Sequence, residues 1–207
     1  MINVLITGGT GGIAKAIYYE LINDSNYLVF NPSHDDLDVT NENQIKAVIK
    51  EIKPRILINC AGYITTSNLS ELSTEEWRKH LDINVTGSFL CSKYAIQNGC
   101  DTVINIGSTS AFMSKATWGA YCITKAAIVA LTENLAKEGF NAYCLHPART
   151  DTKMRESLFP NEDKSTLLKP EQIAVLVPRI IKGEFPNGSQ IVVKKEGLLV
   201  LPMRSGV

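Results

Sequence analysis

Apolar and polar positions alternate along this chain in two different periods, and the switch between them marks out the elements. Ile2 to Thr7 is a short β-branched run of strand length, and Ile13 to Ile22 then carries the spacing of a helix with one apolar face. Tyr27-Leu28-Val29-Phe30 predicts a second strand, and Asn41 to Ile52 a helix with Ile45, Val48, Ile49 and Ile52 on one side. Arg55 to Asn59 reads as a buried strand. Ser73-Thr74-Glu75-Glu76 opens a long helix that runs through Trp77, Leu81, Asn84, Phe89, Leu90 and Tyr94. A strand at 102–107, a central helix from Gly119 to Lys137, a strand at 140–145, a helix entered through Pro170 and a last strand at 190–194 complete the series. Residues 153–169 are polar and irregular, and with the strand exit before them predict a lid over the substrate at 148–169.

Strands alternating with helices predict an α/β fold, a doubly wound parallel sheet of the Rossmann type in a single compact domain spanning 1–207, with ligands at the carboxyl ends of its strands. One connection is unusual. Seven residues separate Phe30 from Asp38, whereas a parallel crossover takes a dozen or more. The usual second helix is therefore expected to be missing, and any third strand to be a stub around Leu37–Val39.

Composition narrows the function classes. Lys plus Arg number 21 and Asp plus Glu 21, so no net field draws the chain to nucleic acid or to an anionic membrane, and neither partner is expected. The five cysteines form no C-x-x-C pair and sit near no histidine cluster, which predicts reduced core thiols, no metal site and a cytoplasmic location. The amino terminus lacks the basic and apolar regions of a signal peptide, and no apolar run is long enough to span a membrane.

The candidate chemistry lies at the predicted strand ends. Gly8-Gly9-Thr10-Gly11-Gly12-Ile13 follows the first strand and opens a helix, an arrangement that lets backbone amides approach a phosphate. Cys60-Ala61-Gly62 ends another strand with small residues beside which a flat ligand fits. Tyr121 and Lys125 stand four apart on the central helix, so phenol and ammonium share a face, and a fixed cation stabilises phenolate. Taken alone, that pair reads as a core tyrosine with a solvated lysine. Ser108, thirteen residues upstream at a strand end, turns the reading toward proton transfer. Asn84 falls in mid-helix among apolar residues, where the plain expectation is a local hydrogen bond.

The order and spacing of these motifs resemble the short-chain dehydrogenase/reductase family: the glycine turn at 7–14, Asp38-Val39, Asn59 to Gly62, Asn84, Ser108, Tyr121 with Lys125, and Pro147 to Thr152. Cys60 stands where the family usually has Asn, Ala148 where it usually has Gly, and the short 31–38 connection is nearer the sugar-nucleotide branch. The resemblance implies a sheet in order 3-2-1-4-5-6-7 and a nicotinamide cofactor across its carboxyl edge. It implies that Tyr121 protonates a substrate carbonyl while hydride reaches the carbon. Lys125 is then to lower the Tyr121 pKa and bond the nicotinamide ribose, Ser108 to polarise the carbonyl, and Asn84 to position a relay water. The cofactor is expected to meet Gly8, Thr10, Gly11, Gly12, Ile13, Asn31, Ser33, Asp38, Val39, Cys60, Ala61, Gly62, Pro147, Ala148, Thr150 and Thr152. Asn31, Ser33 and His34 follow the second strand with no Arg or Lys in that turn. This predicts NADP with weak preference and real use of NAD. The substrate is expected to be a small carbonyl or alcohol, and the assembly a homodimer or homotetramer through the central helix and the helix near 86–98. The alternatives are a sugar-phosphate or nucleotide-sugar reductase or epimerase, for whose larger substrate domain too few residues follow Thr152, and a non-catalytic dinucleotide sensor.

Overall fold

A computed structural model describes residues 1–204. The strands are β1 (Ile2–Ile6), β2 (Tyr27–Phe30), β3 (Ile56–Asn59), β4 (Thr102–Ile106), β5 (Asn141–Pro147), β6 (Gln190–Lys194) and β7 (Gly197–Leu201). They form one sheet in the order β2-β1-β3-β4-β5-β6-β7, parallel throughout except for the antiparallel β6–β7 pair. The period of two along each strand divides the core. Val4, Ile6, Ile56 and Ile58 turn to one face, where they meet Ile17, Leu21, Ile173, Val177 and Ile180 of α1 (Gly12–Leu21), α7 (Glu171–Ala174) and α8 (Leu176–Ile181). Leu5, Leu57 and Val103 turn to the other, against Ile45, Ile49, Cys91, Ala95 and Leu135 of α2 (Glu42–Ile52), α4 (Gly87–Gln97) and α5 (Gly119–Lys137). Both faces are covered, as a parallel sheet requires.

Local chemistry sets the helix starts. Asn41 accepts from the Asn43 and Gln44 amides at 3.1 and 3.2 Å and caps α2, and Ser73 accepts from Glu76 N at 3.1 Å to cap α3 (Thr74–Leu81). In contrast, α1 begins after Gly11 with no side chain capping it.

Four expectations are corrected. No strand forms around Leu37–Val39; Leu37 and Val39 are buried in the core that α2 and α4 cover, without pairing, because the short connection cannot return to the sheet, so β2 is the sheet edge. The sheet gains β7, an antiparallel edge that the periodicity did not signal. Residues 153–169 are not irregular throughout: Thr152 Oγ1 accepts from Arg155 N at 3.2 Å and starts α6 (Lys153–Leu158). The long helix is interrupted at Asn84 by a π-helical turn, Asp82–Thr86, between α3 and α4.

Candidate active site

The carboxyl ends of β1, β3, β4 and β5 converge on a cavity of about 370 Å³. Its floor is laid by the glycine turn. Gly8 has a φ of +70°, and a Cβ there would stand 2.7 Å from Ala61 Cα, so only glycine lets β1 and the β3 exit approach this closely. Thr7 Oγ1 accepts from the Cys60 and Ala61 amides, both at 3.1 Å, and ties the two turns together. Beyond it, Thr10 to Ile13 line the cavity with the uncapped amino end of α1. Thr152 packs over Gly12, where a Cβ would come within 3.1 Å of its Cγ2.

Tyr121 lies in the first turn of α5 and Lys125 one turn later, both lining the cavity. Lys125 is only 5 % exposed, which removes the solvated reading, and its Nζ donates to Ile106 O at 2.9 Å, so two ammonium protons remain for other partners. Ser108 lies two residues past β4. Its Oγ accepts from Ser110 N at 3.1 Å, and its own hydroxyl proton is left to donate.

Asn84 makes no local side-chain bond, contrary to expectation. Its Oδ1 accepts from Tyr63 N at 2.7 Å, and its Nδ2 donates to Tyr63 O at 2.9 Å and to Thr124 Oγ1 at 3.0 Å. The π turn swings the side chain between the β3 exit loop and α5, and this amide locks both to the same place. A Cβ on Gly62 would lie 3.6 Å from Asn84 Oδ1 and 3.9 Å from Lys125 Nζ, so all three meet at one point.

His146 was missed by sequence reasoning. The residue is fully buried, and the Phe112 ring meets it edge-on. Gln190 donates through Nε2 to Gly188 O, which turns its Oε1 to His146 Nε2 at 2.8 Å; that nitrogen therefore carries the ring proton, and Nδ1 accepts from Ser108 N at 3.2 Å. The imidazole thus fixes the backbone of Ser108. Burial holds its pKa below the ordinary value, and the Lys125 charge adds to this, against two acceptors that favour the protonated ring, Gln190 Oε1 and the Ser108 carbonyl oxygen 3.1 Å from Nδ1. Cys60 lines the cavity as well, but burial pushes its thiol up to about 12, so no thiolate is present at neutral pH.

Of the residues picked out from sequence, Thr10, Gly11, Gly12, Ile13, Cys60, Gly62, Ser108, Tyr121, Lys125, Pro147, Ala148, Thr150 and Thr152 share this cavity. Gly8, Ala61 and Asn84 stand just behind it. Asn31 lies elsewhere, with Gly9 and Pro32 on a second, more open hollow. Ser33 is turned onto Asp36 at 2.6 Å, Asp38 onto Thr40 at 2.8 Å, and Val39 packs against Gly87. The second hollow also receives Lys15 from α1, a cation that reading the β2 turn alone does not find. Lys115, Trp118, Arg149, Lys153, Arg155 and Leu158 also line the first cavity.

Comparison with known proteins bears on this arrangement. An uncharacterised oxidoreductase of Thermotoga maritima is 33 % identical over 108 residues, which is 48 % of this chain and 42 % of that protein. An NAD-dependent glycerol dehydrogenase of Listeria innocua is 31 % identical over 160 residues, 65 % of this chain and 63 % of the relative. The chain thus spans about two fifths to just under two thirds of the length of these curated relatives. A solved small-chain dehydrogenase in complex with NADPH superimposes with a TM-score of 0.83 at 19 % identity, covering 93 % of this chain and 96 % of the other, a likeness of fold. The model of the short chain dehydrogenases matches residues 33–163, more than half of the chain and the stretch that holds Asn84, Ser108, Tyr121 and Lys125, and the chain belongs to that family.

Proposed function

We propose that the protein is an NAD(P)-dependent oxidoreductase that interconverts a carbonyl and an alcohol on a small substrate. The observation that carries this reading is the meeting of Tyr121, Lys125 and Ser108 in one cavity with the uncapped amino end of α1. A nicotinamide dinucleotide suits these residues: free amides at Gly12 and Ile13 and the helix dipole favour a pyrophosphate, Thr150 and Thr152 offer hydroxyls, and Lys125 has two spare protons for a ribose. When bound, the cofactor supplies or accepts the hydride. Ser108 donates its free hydroxyl proton to the carbonyl oxygen and holds it, while Tyr121 delivers the proton that completes the alcohol. Lys125 and the Asn84 side chain flank the gap at Gly62, where a water can pass protons to Lys125. In the oxidative direction Tyr121 takes the proton back.

For the cofactor we favour NADP with weak preference and real use of NAD. Lys15 stands on the hollow beside Asn31, where a phosphate on the adenosine ribose gains a cation, and Asp36 is drawn into its own turn by Ser33. The Listeria relative is named for NAD, and the structural neighbour holds NADPH. A homodimer or homotetramer fits the apolar surface that Phe89 and Ile123 leave 47 % and 44 % exposed on α4 and α5. Five free thiols suit a reducing, cytoplasmic setting. Among the described residues, no helix is long and apolar enough to cross a membrane. The test is consumption of reduced cofactor, followed in the near ultraviolet, against a panel of carbonyl compounds; no consumption with any of them by either cofactor would defeat the reading in favour of a dinucleotide sensor.

A further inference from the structure

The charged side chains lining the catalytic cavity are Lys115, Lys125, Arg149, Lys153 and Arg155, and no carboxylate is among them, in a chain whose formal charges cancel. These five divide by position. Lys125 bonds Ile106 O beside Tyr121, and Lys153 follows Thr152 at the glycine turn, so both belong with the dinucleotide under the reading above, on which this inference rests. Arg149 and Arg155 share one carboxylate: Glu162 takes Arg155 at 2.6 and 2.7 Å and Arg149 at 3.2 Å, and its pKa is held down chiefly by the Arg155 bond. Of the other carboxylates of this segment, Asp151 and Glu156 pair with Lys164 and Asp163 accepts from the amide and hydroxyl of Ser165.

Lys115 is in no ion pair among the described residues. Its Nζ stands 4.1 Å from the centre of the Trp118 ring and 4.8 Å from that of Phe159. Arg155 meets the same two rings, at 4.0 Å from Phe159 and 5.9 Å from Trp118. An aromatic face orients a cation but does not neutralise it. On the cavity side three cations therefore face one carboxylate, and the Trp118 ring that Lys115 meets stands 5.9 Å from the ring of Tyr121, the proton donor. The same cavity wall carries the apolar side chains of Ile64, Met113, Met154 and Leu158.

We propose that the substrate carries an anionic group, a carboxylate or a phosphate monoester, a short apolar or neutral span from its carbonyl, and that Lys115 binds that anion with Arg155 beside it. A cavity lined by cations and no carboxylate favours such a ligand over its neutral isostere, the more so at low salt.

The experiment compares matched pairs with the full chain: oxo carboxylates against their methyl esters, and keto-sugar phosphates against the free sugars. The wild-type protein is expected to favour the anionic member at least tenfold in kcat/KM. Lys115→Met should bring that ratio below threefold, and Lys115→Arg should restore most of it. Whichever pair shows the preference identifies carboxylate or phosphate. In parallel, calorimetric titration of 4-oxopentanoate and of inorganic phosphate into protein saturated with the oxidised cofactor NADP+, which cannot reduce the ketone, should give binding several-fold weaker for Lys115→Met; Lys115 is exposed, so the change leaves the fold intact. Equal turnover of both members of every pair overturns this inference and leaves the oxidoreductase reading standing. Binding that is the same in wild type and Lys115→Met overturns it too, whether or not turnover is seen.

Discussion

The two ends of the groove along the carboxyl edge of the sheet are built by different means. At the catalytic end, side chains on or just beyond regular elements reach into open space: Tyr121 and Lys125 on α5, Ser108 two residues past β4, Thr150 and Thr152 beyond β5. At the other end, backbone meets backbone. Gly9 N donates to Pro32 O at 3.0 Å, Asn31 Nδ2 donates to Gly9 O at 3.1 Å, and a Cβ on Gly9 would stand 2.4 Å from Asn31 O. The shortened connection after β2 folds straight back on the glycine turn. The catalytic end can therefore lose a side chain and keep its fold, whereas the far end cannot gain one without moving the main chain.

The largest expected effect is on turnover alone. Tyr121→Phe keeps the ring and its edge contact with Trp118 but removes the acidic hydroxyl, so kcat should fall by about a hundredfold or more while cofactor affinity stays nearly constant. Stopped-flow turnover beside a cofactor titration checks both; a variant retaining more than a few per cent of the rate would remove Tyr121 from its role.

A pair of glycine substitutions sharpens the contrast between the ends. Gly9→Ala forces a methyl onto two carbonyl oxygens, with a stability loss of roughly 1–3 kcal/mol and weaker cofactor binding. Gly62→Ala meets only Asn84 Oδ1 at 3.6 Å and Lys125 Nζ at 3.9 Å, ordinary contacts, so its melting temperature should hold while turnover drops because the gap beside Lys125 is filled. If both variants melt alike, the two ends are not built as differently as their contacts indicate.

A smaller effect, confined to the catalytic end, comes from His146. Its pKa is lowered in the folded chain, so below its ordinary value of about 6.5 the unfolded chain takes up a proton that the folded one refuses, and stability falls as pH drops. Protonation also replaces the Nδ1 acceptor of the Ser108 amide by a donor. Thermal melts at pH 7.5 and 5.5 should show a drop for the wild type and a smaller one for His146→Asn, whose side-chain oxygen can still accept from Ser108 N. An equal drop in both would assign the acid sensitivity to other groups.

The smallest effect is expected at the open hollow. Lys15→Ala should lower the preference for NADPH over NADH by only a few-fold, because an exposed ammonium is screened by solvent and salt. Steady-state kinetics with both cofactors at low and moderate ionic strength decides it. No change at low salt would take Lys15 out of cofactor choice.

By itself the sequence determined what depends on neighbours along the chain. Periods of two and of three to four place the six parallel strands and the main helices, because one face of each must be buried wherever it packs. The seven residues after Phe30 forbid a crossover helix by length alone, and Tyr121 and Lys125 share a face by helical geometry. Tertiary structure decided what depends on distant partners. Asn84 breaks its helix because Tyr63 and Thr124 offer its amide better bonds than its own turn does. The edge strand β7 owes its place to pairing with β6. His146 bears on Ser108 only because β5 lies beside β4, and Lys15 reaches the β2 turn only because α1 crosses behind it. Lys115 and Arg155, forty residues apart, become one cationic wall only when α6 lays Phe159 against Trp118, at 6.0 Å between ring centres. A side chain's charge is written in the sequence, but what it faces is fixed only once the sheet has brought its loops to one edge.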